Sequence, residues 1–516
     1  MSMNPGSKPP IHRSFPRPLR MDGAWRFIAA ILIALLLPSL AYPQVPAPAQ
    51  PAIEGLRRQE ERAQELQRQK QARTDALRPE ASTLLSTRLP VEQPCFVIEG
   101  VELVGADAQR FPWLSDAALP FLRQCAGVAG LRQIAGALDA KLIELGYVTS
   151  RVALPRQNLK DGVLTIQLHV GRIARIGMFA ADDAKTVDGA WGTWRNAMPI
   201  AEGDILNVRD IEQGLEQMKR LPRQSVAIEL APGDDADTSN VRILRQSATL
   251  AQRMRGCLTL DNSGSEALGR SQLSGCLSLD NPLGLNDILA LTASSNAEHP
   301  DAAHRGQSLS LDYSVPWGYN TFSLSAASNR YAQRVQGTTA QFLSSGRSEG
   351  LGLKWHRTML RTSTFRAGLY AAVTTRRASS YLDDVELVVQ RRRTTSLETG
   401  VTYKGLLGDA ALELELGYRQ GVPWLHAEDN WPEAASGGLT LRPNITVLSA
   451  SFSLPFKLKD RSLLYAATLR VQATPDRTLS TDQIAIGNRY SVRGFDGDSV
   501  CSPKAAISCA MNCRRH

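Results

Sequence analysis

Long hydrophobic runs are almost absent from this chain. Although 43% of its residues are hydrophobic, the only long continuous apolar stretch lies near the N-terminus, so spanning helices cannot account for the remainder. Any further membrane-crossing segment has to be β. Catalytic fingerprints are missing as well. No Walker loop, H-E-x-x-H helix or dinucleotide-binding glycine pattern occurs, so no nucleotide, cofactor or catalytic residue is expected. The formal charge of +9 is mild for 516 residues, and its cations are scattered, which argues against nucleic acid as a partner. Gly346-Arg347-Ser348-Glu349-Gly350 spells G-x-S-x-G, but Leu351, Leu353 and Trp355 follow at strand spacing where a nucleophile elbow needs a helix, so a hairpin turn is expected there. Cys501, Cys509, Cys513 and His516 could supply four ligands, but no C-x-x-C spacing accompanies them and no metal site is expected.

What is present begins with an export signal. Phe27 to Leu40 forms a short apolar core preceded by Lys8, Arg13, Arg17, Arg20 and Arg26, and residues 1–41 have the layout of a secretory signal peptide. Met1 and Met21 are both candidate start positions. Residues 42–94 form a linker whose Pro/Ala/Gln opening cannot build a core. Within it, 53–73 is rich in Glu, Gln and Arg with only Ile53, Leu56 and Leu66 apolar, a helix with no face to bury in a protein core.

Compact α/β material follows. Over 95–172, Val101 to Val104 reads as a strand, Leu131, Ile134, Leu138, Leu142 and Leu145 recur at helical spacing, and Val148 to Leu154 and Val163 to Val170 are strands. Residues 173–246 repeat that order, with a helix capped by Asn207 that turns Val208, Ile211, Leu215 and Met218 inward. From 247 to 499 the period becomes two. Leu309, Leu311, Tyr313 and Val315 alternate with Ser and Asp, Leu412 to Arg419 does the same, and so does Tyr465 to Ala473. Segments of about ten residues in an exported protein, with aromatics near their ends, indicate an outer-membrane barrel whose apolar face meets lipid and whose polar face lines a lumen.

A family likeness rests on particular residues. Tyr490-Ser491-Val492-Arg493-Gly494-Phe495-Asp496-Gly497 resembles the signature loop of two-partner secretion transporters of the haemolysin/haemagglutinin activation and secretion family. Asp280 to Asp287 and Asp312 to Tyr319 resemble its shared strand-end stretches, and Gly146 to Arg151 followed by Pro155, Gln157 and Gly162 resembles the end of a polypeptide-transport-associated (POTRA) domain. The resemblance implies a mostly β fold: an antiparallel transmembrane β-barrel, 16-stranded in the family, behind two small α+β POTRA domains at 95–172 and 173–246 and an N-terminal plug helix at 53–73. The implied activity is capture of an unfolded secreted partner polypeptide, an adhesin or haemolysin, by the periplasmic POTRA domains and its passage across the outer membrane without nucleotide. In the family the Arg of the signature loop, Arg493 here, pairs with an inner-wall acid. Val492, Gly494 and Phe495 complete that loop. The alternatives are an assembly insertase of the same superfamily, a passive porin, an exported hydrolase, or a non-functional truncated paralogue.

Two cysteine pairs stand out. Cys95 and Cys125 fall in the first small domain, where an oxidising compartment favours a disulfide. Cys257 and Cys276 both sit opposite the lipid-facing residues of the first two barrel strands, with the turn near 265–268 almost midway, so they are expected to be cross-strand neighbours. The tail at 500–516 is read as having no period-two pattern and as lying outside the fold, with the last barrel strands missing.

Overall fold

The computed structural model describes residues 87–483 and the backbone of 505–515, apart from 181–190, 247, 263, 265–267, 299–302, 338–339 and 459–460. The signal segment, the polar helix expected at 53–73 and the loop carrying Val492, Arg493, Gly494 and Phe495 lie outside the described residues.

The first arm domain is built on β2 (Gly100–Val104), parallel to β5 (Val163–His169), with β4 (Arg151–Ala153) antiparallel on the other side of β5. Two helices, α1 (Pro112–Ala118) and α2 (Val128–Glu144), complete it. Ile134, Leu138 and Leu142 recur one turn apart on α2, and all three are buried with Leu164, Ile166 and Leu168 of β5. A two-residue ribbon of β1 (Phe96–Val97) and β3 (Cys125–Ala126) ties the approach segment to this domain, and a Cys95–Cys125 disulfide with a Cα separation of 5.4 Å fastens it. α2 has no capping side chain of its own at Gly127. Glu92 supplies the cap from the approach segment, accepting from the N–H groups of Ala129 and Gly130, both at 2.9 Å. Those main-chain donors, Gly130 first, hold the Glu92 carboxyl below the usual carboxylate range.

The second arm domain repeats the plan. β6 (Arg172–Ala180) runs parallel to β8 (Thr238–Arg245), and β7 (Val226–Pro232) is antiparallel on the far side of β8. Its helix α3 (Val208–Lys219) starts at Asn207, whose side chain accepts from Arg209 N–H. Ile211 and Met218 are buried with Ile173, Val226 and Ile243.

A short helix, α4 (Leu250–Arg253), closed by a Thr249/Gln252 capping box, leads into a long antiparallel meander. Its strands are β9 (Met254–Asp261), β10 (Gln272–Asp280), β11 (Ile288–Asn296), β12 (Arg305–Trp317), β13 (Asn320–Gln336), β14 (Gln341–Arg361), β15 (Phe365–Leu382), β17 (Arg392–Leu407), β18 (Ala410–Gly421), β19 (Asn444–Leu458), β20 (Arg461–Ala473) and β21 (Ala505–Arg515), with the two-residue β16 (Val385–Glu386) against β15. No helix among the described residues is long and apolar enough to cross a membrane; the crossing is made by strands. Apolar residues face one another rung by rung: Leu279, Leu289, Tyr313, Leu324, Leu353, Val373 and Leu397 are successive cross-strand partners. They lie on the outside, where Leu258 is 77% and Leu260 69% exposed. An apolar patch of that extent belongs against lipid, not water.

Two expectations are corrected. The G-x-S-x-G stretch is no turn: Ser348 lies inside β14, paired with Asn329 on one side and Ala378 on the other. Gly346 serves packing, since a Cβ there would stand 2.4 Å from the Tyr331 ring. The tail is not outside the sheet either. β21 pairs with β20 along its whole length, from Ala473↔Ala505 to Leu463↔Arg515. Ile507, Cys509, Met511 and Cys513 alternate with Ser508, Ala510, Asn512 and Arg514, a period of two disguised by its cysteines. The main-chain groups on the far side of β20 accept such a segment whatever its side chains.

The Cys95–Cys125 bridge closes a loop of 30 residues. Thiol labelling of the unreduced chain should modify neither cysteine, and replacing both by Ser should lower the arm's unfolding free energy by about 3–4 kcal/mol.

Candidate functional site

The two arm domains are joined as one piece. Val208 N–H donates to Gly146 O at 2.8 Å and Leu206 N–H to Gly171 O at 2.9 Å. Gly146 has φ +96°, and a Cβ there would stand 2.2 Å from Asn207 Oδ1, so only glycine allows this approach. Arg172 pairs with Asp107 at 2.6 Å, and Asp237 takes both Arg151 (3.1 Å) and His169 Nδ1 (3.2 Å).

The opposite side of α3 lies against the barrel. Arg361, at the end of β14, has a side chain only 1% exposed. Its guanidinium donates to Glu216 Oε2 at 2.8 Å and to Gln213 Oε1 at 2.9 Å, with Glu212 at 3.8 Å. Arg366, across the same hairpin, also pairs with Glu216. Gln213 and Gln217 donate to Gly318 O at 3.4 and 3.3 Å, Arg220 donates to the Ser314 hydroxyl and Tyr319 to the Asp210 carboxylate. Burial lowers the Arg220 pKa to about 10, against the charges of Asp287 and Tyr313, which hold it up. Burial raises Asp210, partly offset by the Tyr319 hydrogen bond.

A second grip forms where residues 191–196 meet the β10–β11 and β12–β13 turns. Trp191 Nε1 donates to Asn281 O at 2.6 Å, Asn196 Nδ2 to Leu285 O at 2.6 Å and Pro316 O at 2.9 Å, and Asn286 Nδ2 to Thr193 O at 2.6 Å. The turn is shaped for this contact. Asn281, Gly284 and Asn286 have φ of 59°, 78° and 55°, which Asn and Gly tolerate, and the Asp287 carboxylate accepts from Leu283 and Leu285 N–H. The stretches Asp280 to Asp287 and Asp312 to Tyr319 are therefore the seats of the arm.

Between α3 and the inner wall lies a cavity of about 420 Å³ whose lining includes Gln217, His356, Thr402, Lys404, Glu413 and Ser449. The wall carries its charges in pairs. Lys404–Glu413 is 2.8 Å and Lys354–Glu415 is 3.1 Å; Glu398 accepts from Tyr370 Oη at 2.8 Å and from Arg419 Nε at 2.7 Å. This wall is polar and its charges are paired, suited to passing a polar chain and not to holding an apolar ligand. Cys257 and Cys276 are direct cross-strand partners and form a disulfide with Cα atoms 5.0 Å apart. Sequence reasoning missed Arg361, Arg366, Glu216, Asp210 and Asn196. The available signal was Glu212 and Glu216, four apart on the face of α3 away from Ile211 and Met218.

A strand-built membrane pore with two α+β domains seated on one end of its lumen is an outer-membrane transporter of the POTRA-barrel class. Residues 96–171 match the ShlB-type POTRA domain, 175–232 match a POTRA domain, and 237–508 match the haemolysin secretion/activation protein family ShlB/FhaC/HecB. The chain belongs to that family, the transporters of two-partner secretion, and resides in the outer membrane with its POTRA domains in the periplasm. It is 34% identical to the outer membrane transporter CdiB-2 of Burkholderia pseudomallei over 83% of this chain and 73% of that protein. It is 27% identical to the hemolysin transporter protein ShlB of Serratia marcescens over 79% of this chain and 70% of that protein. The solved structure of CdiB from Escherichia coli superposes with a TM-score of 0.75 at 26% identity, covering 92% of this chain and 85% of that one.

Arg361→Met should leave Glu216 and Glu212 short of a buried cation and weaken arm docking by about 3 kcal/mol. Limited proteolysis of the membrane-inserted chain should then cut the arm faster, with Arg361→Lys intermediate because it keeps the charge but loses the fork. Because its pKa is raised, Asp210 favours the folded junction in its protonated form. That contribution is present below the ordinary carboxylate range and is lost as pH rises through the raised value. Asp210→Asn should hence be neutral or stabilising in thermal unfolding at pH 8 and flatten the pH dependence; a clear loss of stability at pH 8 would contradict the assignment.

Proposed function

We propose that the arm captures an unfolded exported protein by strand addition and feeds it into the barrel at the mouth beside α3. The observation that carries this reading is the open edge of β7. Gln246 N–H donates to Ser225 O at 3.0 Å, so alternate residues Ala227 and Glu229 bond β8, while Val226, Ile228 and Leu230 turn their N–H groups away from it. β8 is the one strand neighbour of β7 among the described residues. An extended polypeptide can pair there through its main chain, with little demand on its sequence. The second arm domain is also the one seated on the lumen mouth through Arg361 and Asn196, so a chain held on β7 starts beside the polar wall.

The proposed cargo is a large secreted adhesin or haemolysin, a reading supported by a relative named a hemolysin transporter. Transport needs no nucleotide; folding of the cargo outside biases its direction. Arg493 at the signature loop is proposed to reach an acid of the inner wall, with Val492, Gly494 and Phe495 shaping the loop.

The test is secretion of a candidate partner protein co-expressed with the full chain. Leu230→Pro removes an outward donor without touching the β7–β8 ladder, and should cut secreted partner severalfold while the amount of heat-modifiable, inserted transporter stays constant. Undiminished secretion would exclude β7 as the capture edge.

A further inference from the structure

The outer face of the barrel carries a second feature, above its apolar band. Its orientation is fixed by the arm, which marks the Gly318 and Arg361 end as periplasmic. Toward the opposite, extracellular end, each of five neighbouring strands places an arginine four residues beyond an outward apolar residue: Arg305 beyond Leu309 on β12, Arg330 beyond Ala326 on β13, Arg347 beyond Leu351 on β14, Arg377 beyond Val373 on β15 and Arg393 beyond Leu397 on β17. They share the outward face because they are in step with the leucines, and Arg330, Arg347 and Arg377 are exposed while Asn329, Tyr331, Gly346 and Ser348 beside them are buried. From Asn320, at the periplasmic end of β13, Arg330 lies ten residues along the strand. That is about 33 Å of strand or about 25 Å along the normal at a tilt of about 40°, which is the height of the apolar band, so it stands where hydrocarbon gives way to headgroups.

The register makes this arrangement unfavourable by itself. Arg330 is the direct cross-strand partner of Arg347, and Arg377 that of Arg393. Like charges in opposed positions are destabilising, and Glu349, paired with Arg347 and opposite Arg377, is the one carboxylate among these outward positions. Two opposed arginine pairs at headgroup depth are relieved by anions, and guanidinium matches phosphate oxygens in a fork. We propose that β12–β17 form a docking surface for the phosphorylated glycolipid of the outer leaflet, lipopolysaccharide, with its phosphates seated between Arg330 and Arg347 and between Arg377 and Arg393.

The full chain would be reconstituted in phosphatidylcholine vesicles, insertion being checked by heat modifiability, and titrated with bisphosphorylated lipid A, dephosphorylated lipid A or phosphatidylglycerol. Bisphosphorylated lipid A should bind and raise the unfolding temperature, and the Arg330→Gln/Arg347→Gln/Arg377→Gln variant should bind it at least about tenfold more weakly. The same substitutions at Arg110, Arg132 and Lys160 on the arm should change nothing. Equal binding of dephosphorylated lipid A or of phosphatidylglycerol overturns the proposal, as does undiminished binding by the triple variant. Should that variant fail to insert, the wild-type comparison of the two lipid A forms decides alone, and the Arg→Lys triple, which keeps the charge, should bind with intermediate strength. Secretion is not read in this assay, so failure of the export reading leaves its outcome unchanged.

Discussion

Hydrocarbon offers no hydrogen-bond partner to a peptide group, and each group left unpaired there costs several kcal/mol. Every feature of the larger half of the chain follows from that constraint. The strands of the meander from β9 to β21 pair in sequence order because a meander satisfies each strand with its neighbour. The period of two then divides every strand into a face for lipid and a face for water. Once the outside is fixed as Leu, Val and aromatic residues, the inside is free to carry Lys354, Glu398, Glu415 and Arg419, and pairing among them limits the cost of confining charge.

The arm answers a different problem. Each of its domains is small, a three-stranded sheet with one or two helices, and a rigid junction is needed if a captured chain is to reach the lumen. The junction uses polar contacts almost throughout: carboxylates of α3 against Arg361 and Arg366, amides against turn carbonyls. Such contacts are directional, so they fix the angle between arm and barrel in a way that apolar packing does not. They also separate two populations of arginine, those gripping α3 at the periplasmic end and those facing headgroups at the other.

Much of this was legible in the sequence wherever a period or a face determined the outcome. The helix with Ile134, Leu138 and Leu142, the Asn207 cap and the alternation around Leu309 and Leu311 all follow from local patterns. The Cys257–Cys276 contact was readable because parity and a turn midway fix a register. Arg361 was not, since a strand-end arginine looks the same whether it meets water or a helix 145 residues earlier in the chain. The Gly346 to Gly350 motif misled because Gly346, taken as a signal for a turn, was answering the ring of Tyr331 on the next strand. The 505–515 strand was hidden because cysteines read as a compositional oddity instead of as the apolar half of an alternation.

The position of the Cys257–Cys276 disulfide acquires a physical reason from the junction. β9 is short, and β10 is its one strand neighbour among the described residues. It is also the strand to which the arm is joined by the chain itself, through α4. Force that travels along the chain from the arm reaches β9 first, where a few main-chain hydrogen bonds would resist it. The disulfide passes that load to β10, and the far end of β10 opens into the 281–287 turn, which Trp191, Thr193 and Asn196 of the second arm domain already hold. Arm, β9, disulfide, β10 and turn thereby form a closed mechanical loop that returns to the arm. The sheet can yield elsewhere along its length, but its first hairpin is bound to move with the arm as one body.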